Sequence, residues 1–189
     1  MTDAVANQIS NGSSSLDSEL CKTLEANKHD YAVLIIDVDY YRLWSREDAK
    51  KVKNMRNLVS SVYNQKIPII FSEFGLGTEE SLIRAARKPI RFTKSHENAF
   101  YNTNLQYILE KLETKEIIVG GFHIAACVYY TSRSAVERGF KVHTSKDILI
   151  GGDYGLMHSE IGRFYRNNTN FIEKGNYKSL PIFERDDKK

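Results

Sequence analysis

A chain of 189 residues, 41% hydrophobic and 27% charged, can bury a sizeable core and reads as an ordinary globular protein. Its net charge of +3, with Lys and Arg scattered among acids, argues against a nucleic-acid partner, and no run of about 18 apolar residues predicts a membrane span. Cys21 and Cys127 are far apart without metal-ligand spacing, and the N-terminus lacks the apolar core of a secretory signal, so a reduced cytoplasmic protein is expected.

Residues 1–16, with Asn11-Gly-Ser-Ser-Ser15, are polar and expected to be mobile, which leaves 17–189 as a single domain. A short helix is predicted from Leu16 to about Asn27, with Cys21 as packing. Tyr31-Ala-Val-Leu-Ile-Ile-Asp37 is the strongest strand, apolar on both faces as in a parallel sheet covered by helices, and Asp37 ends it. Tyr40, Tyr41 and Trp44 follow, an aromatic group able to wall a pocket or cover the sheet.

Ser45-Arg-Glu-Asp48 resembles a capping box, and the helix behind it carries Val52, Met55, Leu58, Val59, Val62 and Tyr63 on one face. Ile67–Ser72 reads as the next strand and Glu73–Thr78 as a loop whose glycines match no phosphate-binding fingerprint. Lys88–Lys94 is short and extended, and a loop through Ser95–Asn102 contains Phe100 and Tyr101. Thr103 then caps a helix that buries Leu105, Ile108, Leu109 and Leu112.

Ile117–Val119 predicts a buried strand, interrupted by Gly120 and Gly121, and a helical pattern runs on to Gly139. Cys127 thus falls in the first turn of that helix, where free N–H groups and the helix dipole favour a thiolate. A lone cysteine there is more often core filling. Phe140–Thr144 is a further strand. Beyond Gly151 the patterns weaken: Met157–Tyr165 is a candidate helix and Phe171–Lys189 reads as mostly irregular with a charged tail.

This order predicts a three-layer α/β/α sandwich with a mainly parallel, Rossmann-like central sheet. Asp37, Lys94 and Cys127 each close a strand or open the element after one, and such a fold gathers those ends at one edge, where ligands bind. Each residue alone is weak evidence; their shared position is the signal.

The chain resembles the isochorismatase-like cysteine hydrolases, the superfamily of nicotinamidases and N-carbamoylsarcosine amidohydrolase, over roughly Tyr31–Ile150. The likeness lies in the strand ending at Asp37, in Lys94 within Thr93-Lys-Ser-His-Glu-Asn-Ala-Phe-Tyr-Asn-Thr-Asn-Leu105, and in Gly120-Gly-Phe-His-Ile-Ala-Ala-Cys-Val-Tyr-Tyr-Thr131. The resemblance implies that Asp37 takes the proton of Cys127, that the sulfur attacks a small amide or other C–N bond, and that Lys94 steadies the charges. It also implies an oxyanion hole from the N–H groups of His123 and Cys127, and a non-proline cis peptide between Phe122 and His123. Tyr40, Trp44, Phe74, Phe100, Tyr101 and His123 are expected to line the substrate pocket.

Ile124-Ala125 replaces the family's Thr-acid pair, and Asp39 stands where Gln is common. The nicotinamidase metal pattern is absent and the five histidines have no ligand spacing, so neither metal nor other cofactor is expected. The expected partner is a small-molecule substrate, with a homo-oligomer (dimer or tetramer) implied by the family. The rival reading is a catalytically degenerate relative acting as a binding or interaction protein, motivated by Ile124-Ala125 and Asp39.

Overall fold

Strand β2 (Tyr31–Ile36) is apolar and buried at all six positions, so it can only lie inside a sheet covered on both faces. A computed structural model describes residues 8–9, 18–39, 45–151 and 159–183 and sets β2 at the middle of an eight-stranded sheet. The strands run β1 (Gln8–Ile9), β4 (Ile90–Thr93), β3 (Ile69–Glu73), β2, β5 (Glu116–Phe122), β6 (Lys141–Ser145) and β8 (Asn170–Ile172) across the sheet. β7 (Leu149–Ile150) pairs β5 beyond the end of β6. Every pairing is parallel.

Alternation along the strands sorts the core into two layers. Ala32, Leu34, Ile36, Ile117 and Val119 face helices α1 (Ser18–Ala26), α4 (Leu105–Lys111), α5 (Cys127–Glu137) and α6 (Glu160–Asn168). Tyr31, Val33, Ile35 and Ile118 face α2 (Arg46–Asn64), α3 (Glu80–Ala86) and the segment bearing Tyr177, Leu180 and Ile182. Helix α2 starts as its sequence dictates: Ser45 Oγ accepts the Asp48 N–H at 3.0 Å, and Val52, Met55, Leu58, Val59 and Val62 are buried.

Three expectations change. Within the segment 1–16, Gln8–Ile9 forms an edge strand on β4; the rest of that segment lies outside the described residues. The stretch from Phe171, expected to be mostly irregular, gains the end of β8 and a 3₁₀ turn at Tyr177–Ser179; elements of three residues leave no period to detect. Gly120 and Gly121 do not interrupt β5, which continues through both to Phe122.

That continuation has a steric cause. Gly121 sits opposite Ile36 with φ +129°, and a Cβ there would lie 2.1 Å from the Ile36 carbonyl oxygen. Only glycine lets β5 approach β2 this closely where both strands end. Gly139 also has a positive φ, +86°, but no atom within 4 Å of its would-be Cβ. An alanine in the left-handed region costs roughly 1–2 kcal/mol, and a chain of this size loses about 2–4 °C of melting temperature per kcal/mol. Gly139→Ala is therefore expected to melt about 2–8 °C lower, whereas Gly121→Ala adds a backbone collision and should fall further or fail to fold. Equal shifts in a thermal melt would show that the two strand ends are free to move apart.

Candidate active site

The chain leaves β2 toward β3 and β4 on one side, then returns to place β5 on the other. The ends of β2 and β5 therefore flank the point where strand order reverses, the usual place for a ligand crevice in an open α/β sheet. Asp37 follows β2, Lys94 follows β4 and Cys127 opens α5 just after β5. Main-chain bonds carry the sheet one step past its strands: Asp37 N–H donates to Ser72 O and Lys94 N–H to Glu73 O, both at 2.9 Å. The end of β3 thus holds the carboxylate and the ammonium in fixed register. Asp37 takes φ +51°, a conformation that Asp tolerates better than most residues, and this turns its carboxylate off the strand.

The three side chains meet. Lys94 Nζ lies 2.7 Å from Asp37 Oδ2, and the two side chains are 0% and 1% exposed. Lys94 Nζ also donates to the His96 carbonyl at 3.0 Å and stands 4.7 Å from the centre of the Phe74 ring. The Cys127 thiol interacts with both the carboxylate and the ammonium, and the residue is 8% exposed. Its pKa is pushed up to about 11, first by burial and then by the negative charge of Asp37, with Lys94 pulling the other way. At rest the sulfur keeps its proton. The simple expectation of a helix-end thiolate is overridden by desolvation.

Around the sulfur the backbone folds into a tight turn. The Phe122–His123 peptide is cis, at the bond named from sequence. Ala126 and Val128 both donate to the His123 carbonyl, at 2.9 and 3.2 Å, and Ala125 N–H donates to His123 Nδ1 at 3.0 Å. Among the described residues no main-chain acceptor takes the N–H of His123 or of Cys127. Those two donors are the ones assigned to the oxyanion hole. With Nδ1 occupied as an acceptor, the neutral His123 ring carries its proton on Nε2, and partial burial lowers its pKa. Ile124 fills a core position, its carbonyl accepting from the buried Tyr165 hydroxyl at 2.8 Å.

Of the expected pocket residues, Phe74 does reach the site. Its loop is pinned from below by the buried Glu73, whose Oε1 accepts from Thr78 Oγ1 at 2.7 Å and from Arg91 Nε at 2.9 Å. Phe100 is instead core, stacked 6.1 Å from Phe140 with the Arg138 guanidinium 4.8 Å from the centre of its ring. Tyr101 is 59% exposed, its ring 4.7 Å from that of His96. Tyr40 and Trp44 lie outside the described residues. Asp39 is buried at the same edge, beside Val38, whose carbonyl accepts the Glu79 N–H at 2.7 Å. Among the described residues no three His, Cys, Asp or Glu gather as metal ligands, and no helix is long and apolar enough to cross a membrane.

Sequence reasoning read Thr131 only as part of the helical pattern and of the family segment and passed over Ser134; both are buried polar side chains, one and two turns beyond Cys127. Their signal was present: at i+4 and i+7 they share the cysteine's face of the helix.

Residues 29–153 match the isochorismatase domain family. A secreted isochorismatase effector, Isc1 of Verticillium dahliae, is 42% identical over 57 residues, 30% of this chain; the match likewise spans only 30% of that relative's length. Among solved structures, the nicotinamidase PncA of Bacillus subtilis superposes with a TM-score of 0.66 at 15% identity, covering 77% of this chain and all of that one. The N-carbamoylsarcosine amidase of Thermoplasma acidophilum gives 0.64 at 18%, covering 77% and 96%. At such identities the superpositions speak for the fold, and the domain match over most of the sheet speaks for descent. The chain belongs to the isochorismatase-like hydrolase family.

Proposed function

We propose that the protein is a cysteine hydrolase that cleaves a small amide, ureido or related C–N bond through a thioester. The observation that carries this reading is the buried Lys94–Asp37 ion pair facing the thiol of Cys127. As the sulfur attacks the substrate carbonyl, its proton passes to the Asp37 carboxylate and the carbonyl oxygen becomes an oxyanion held by the N–H groups of His123 and Cys127. Asp37 then returns the proton to the departing nitrogen, and the C–N bond breaks to leave the acyl group on sulfur. Water, deprotonated by Asp37, attacks the thioester; the acid leaves and the thiol is restored. Lys94 offsets negative charge at each stage.

Phe74 supplies an apolar wall beside the ammonium, which suits a small, uncharged acyl group. The amidase chemistry named for the Thermoplasma neighbour points the same way. The expectations of a homo-oligomer and of a cytoplasmic setting belong to this proposal and are read by size-exclusion chromatography and by cell fractionation.

Ammonia release over a panel of primary amides and N-carbamoyl compounds tests the chemistry. Cys127→Ala should lower kcat by about four orders of magnitude or more on any substrate the wild type turns over. Equal turnover in the two proteins, or none by the wild type across the panel, would favour the rival binding protein.

The charges themselves are read by alkylation of Cys127 with iodoacetamide across pH. Wild type should show a rate still climbing at pH 10, as a thiol near 11 requires. Asp37→Asn removes the anion that raises the thiol and should move the profile to lower pH; Lys94→Met removes the cation that lowers it and should move the profile up. Two charges about 4 Å apart interact by about 4 kcal/mol at an effective dielectric of about 20, so each displacement should reach about one pH unit or more. Coincident profiles in all three proteins would mean that the groups do not sense one another.

A further inference from the structure

Two acceptors hold the Lys94 ammonium, Asp37 at 2.7 Å and the His96 carbonyl at 3.0 Å, and its charge also reaches Cys127. The His96 carbonyl is the loop's contribution, and the loop is not held by its own strand. It is held by α5. Ala99 N–H donates to Thr131 Oγ1 at 2.9 Å, and Thr131 Oγ1 donates in turn to the Glu97 carbonyl at 3.5 Å. One turn on, Asn98 Nδ2 donates to Ser134 Oγ at 2.7 Å. Asn98 also ties the loop to itself, its N–H on His96 Nδ1 at 3.2 Å and its Oδ1 receiving the Phe100 N–H at 3.0 Å.

Thr131 is 0% exposed, four residues beyond Cys127 on the same helix face. A buried hydroxyl is costly unless it is bonded, and this one is held chiefly by the Ala99 N–H, with the Glu97 carbonyl of the same loop at the longer 3.5 Å. The helix that carries the nucleophile therefore also sets the loop that aims the ammonium.

We infer that Thr131 is a positioning residue: through Ala99 and Glu97 it fixes the His96 carbonyl, and through that carbonyl the direction in which Lys94 presents its charge to Cys127. It touches neither sulfur nor substrate. The inference goes beyond the hydrolase proposal but rests on it for its meaning, since the sulfur is what Lys94 serves.

Alkylation of Cys127 by iodoacetamide against pH, resolved from Cys21 by peptide mass mapping, tests it without any substrate. Thr131→Val keeps the shape of the side chain and removes the hydroxyl. It should slow alkylation at pH 8–9 by about threefold or more and move the profile toward that of Lys94→Met, while Thr131→Ser should superpose on wild type. In a Lys94→Met background the valine substitution should add little, because the group it positions is gone. A Thr131→Val profile that matches wild type, or a slowing of equal size in the Lys94→Met background, overturns the inference. If the valine variant does not fold, Ser134→Ala reads the neighbouring tie: a smaller slowing supports the inference and an unmoved profile overturns it. A protein without amide turnover would sink the hydrolase proposal and leave these profiles measurable, so the two failures are told apart.

Discussion

An ion pair with both side chains buried is an expensive feature. Each charge taken from water costs several kcal/mol, and only close contact with further bonds offsets the loss. Lys94 and Asp37 meet at 2.7 Å with almost no solvent on either, yet they stand at the ends of strands that are separated by β3. For stability alone two apolar side chains would serve as well. The pair constrains everything near it, because either charge left alone would lose the contact that offsets its burial. The strand ends must hold register, the loop after Lys94 must offer a carbonyl, and the sulfur must approach without opening the site to water.

The sheet meets the first of these demands with main-chain bonds. Asp37 and Lys94 both lean on β3, through Ser72 O and Glu73 O, so their spacing follows from the parallel ladder rather than from side-chain packing. The third group arrives from the other side of β2. For it to reach, β5 must run in close contact with β2 to its last residue, and the missing side chain of Gly121 permits this. The turn after Phe122, closed by the Ala126 and Val128 N–H groups on the His123 carbonyl, then brings the chain to Cys127 at the start of α5. The position of the site is thus a property of the strand order, and its precision a property of the few residues just past each strand.

This division explains what the sequence disclosed. Asp37, Lys94 and Cys127 were legible because each ends a run of apolar residues or opens a helix, and a parallel sheet sends all such ends to one edge. Gly120 and Gly121 were misread as a break because glycine weakens a strand locally; its benefit depends on the neighbour across the ladder, which no local pattern contains. Phe100 was placed at the pocket because its loop follows Lys94, but the partners that draw it inward, Phe140 and Arg138, lie about 40 residues away in the sequence. Strands of two or three residues at β1, β7 and β8 have no period to read. The raised pKa of Cys127 was missed for a similar reason: helix-end geometry is local, while burial is a property of the whole fold.

That raised value is consistent with the proposed chemistry once net charge is counted. With Lys94 and Asp37 paired, these two and the thiol are neutral together while the thiol keeps its proton. Losing that proton to solvent would leave one uncompensated negative charge in a buried place, which the interior resists. Passing it to Asp37 leaves the three neutral together, with the ammonium now opposite the sulfur. In the proposed reaction the proton passes to Asp37 as the substrate carbonyl takes up the electron density of the sulfur, so the nucleophile would be formed as it is used. Such a scheme asks Lys94 to face two acids in turn without moving. Its donors must be aimed in advance, and the hydroxyl of Thr131, one helical turn from the sulfur, lies in the position that aims them.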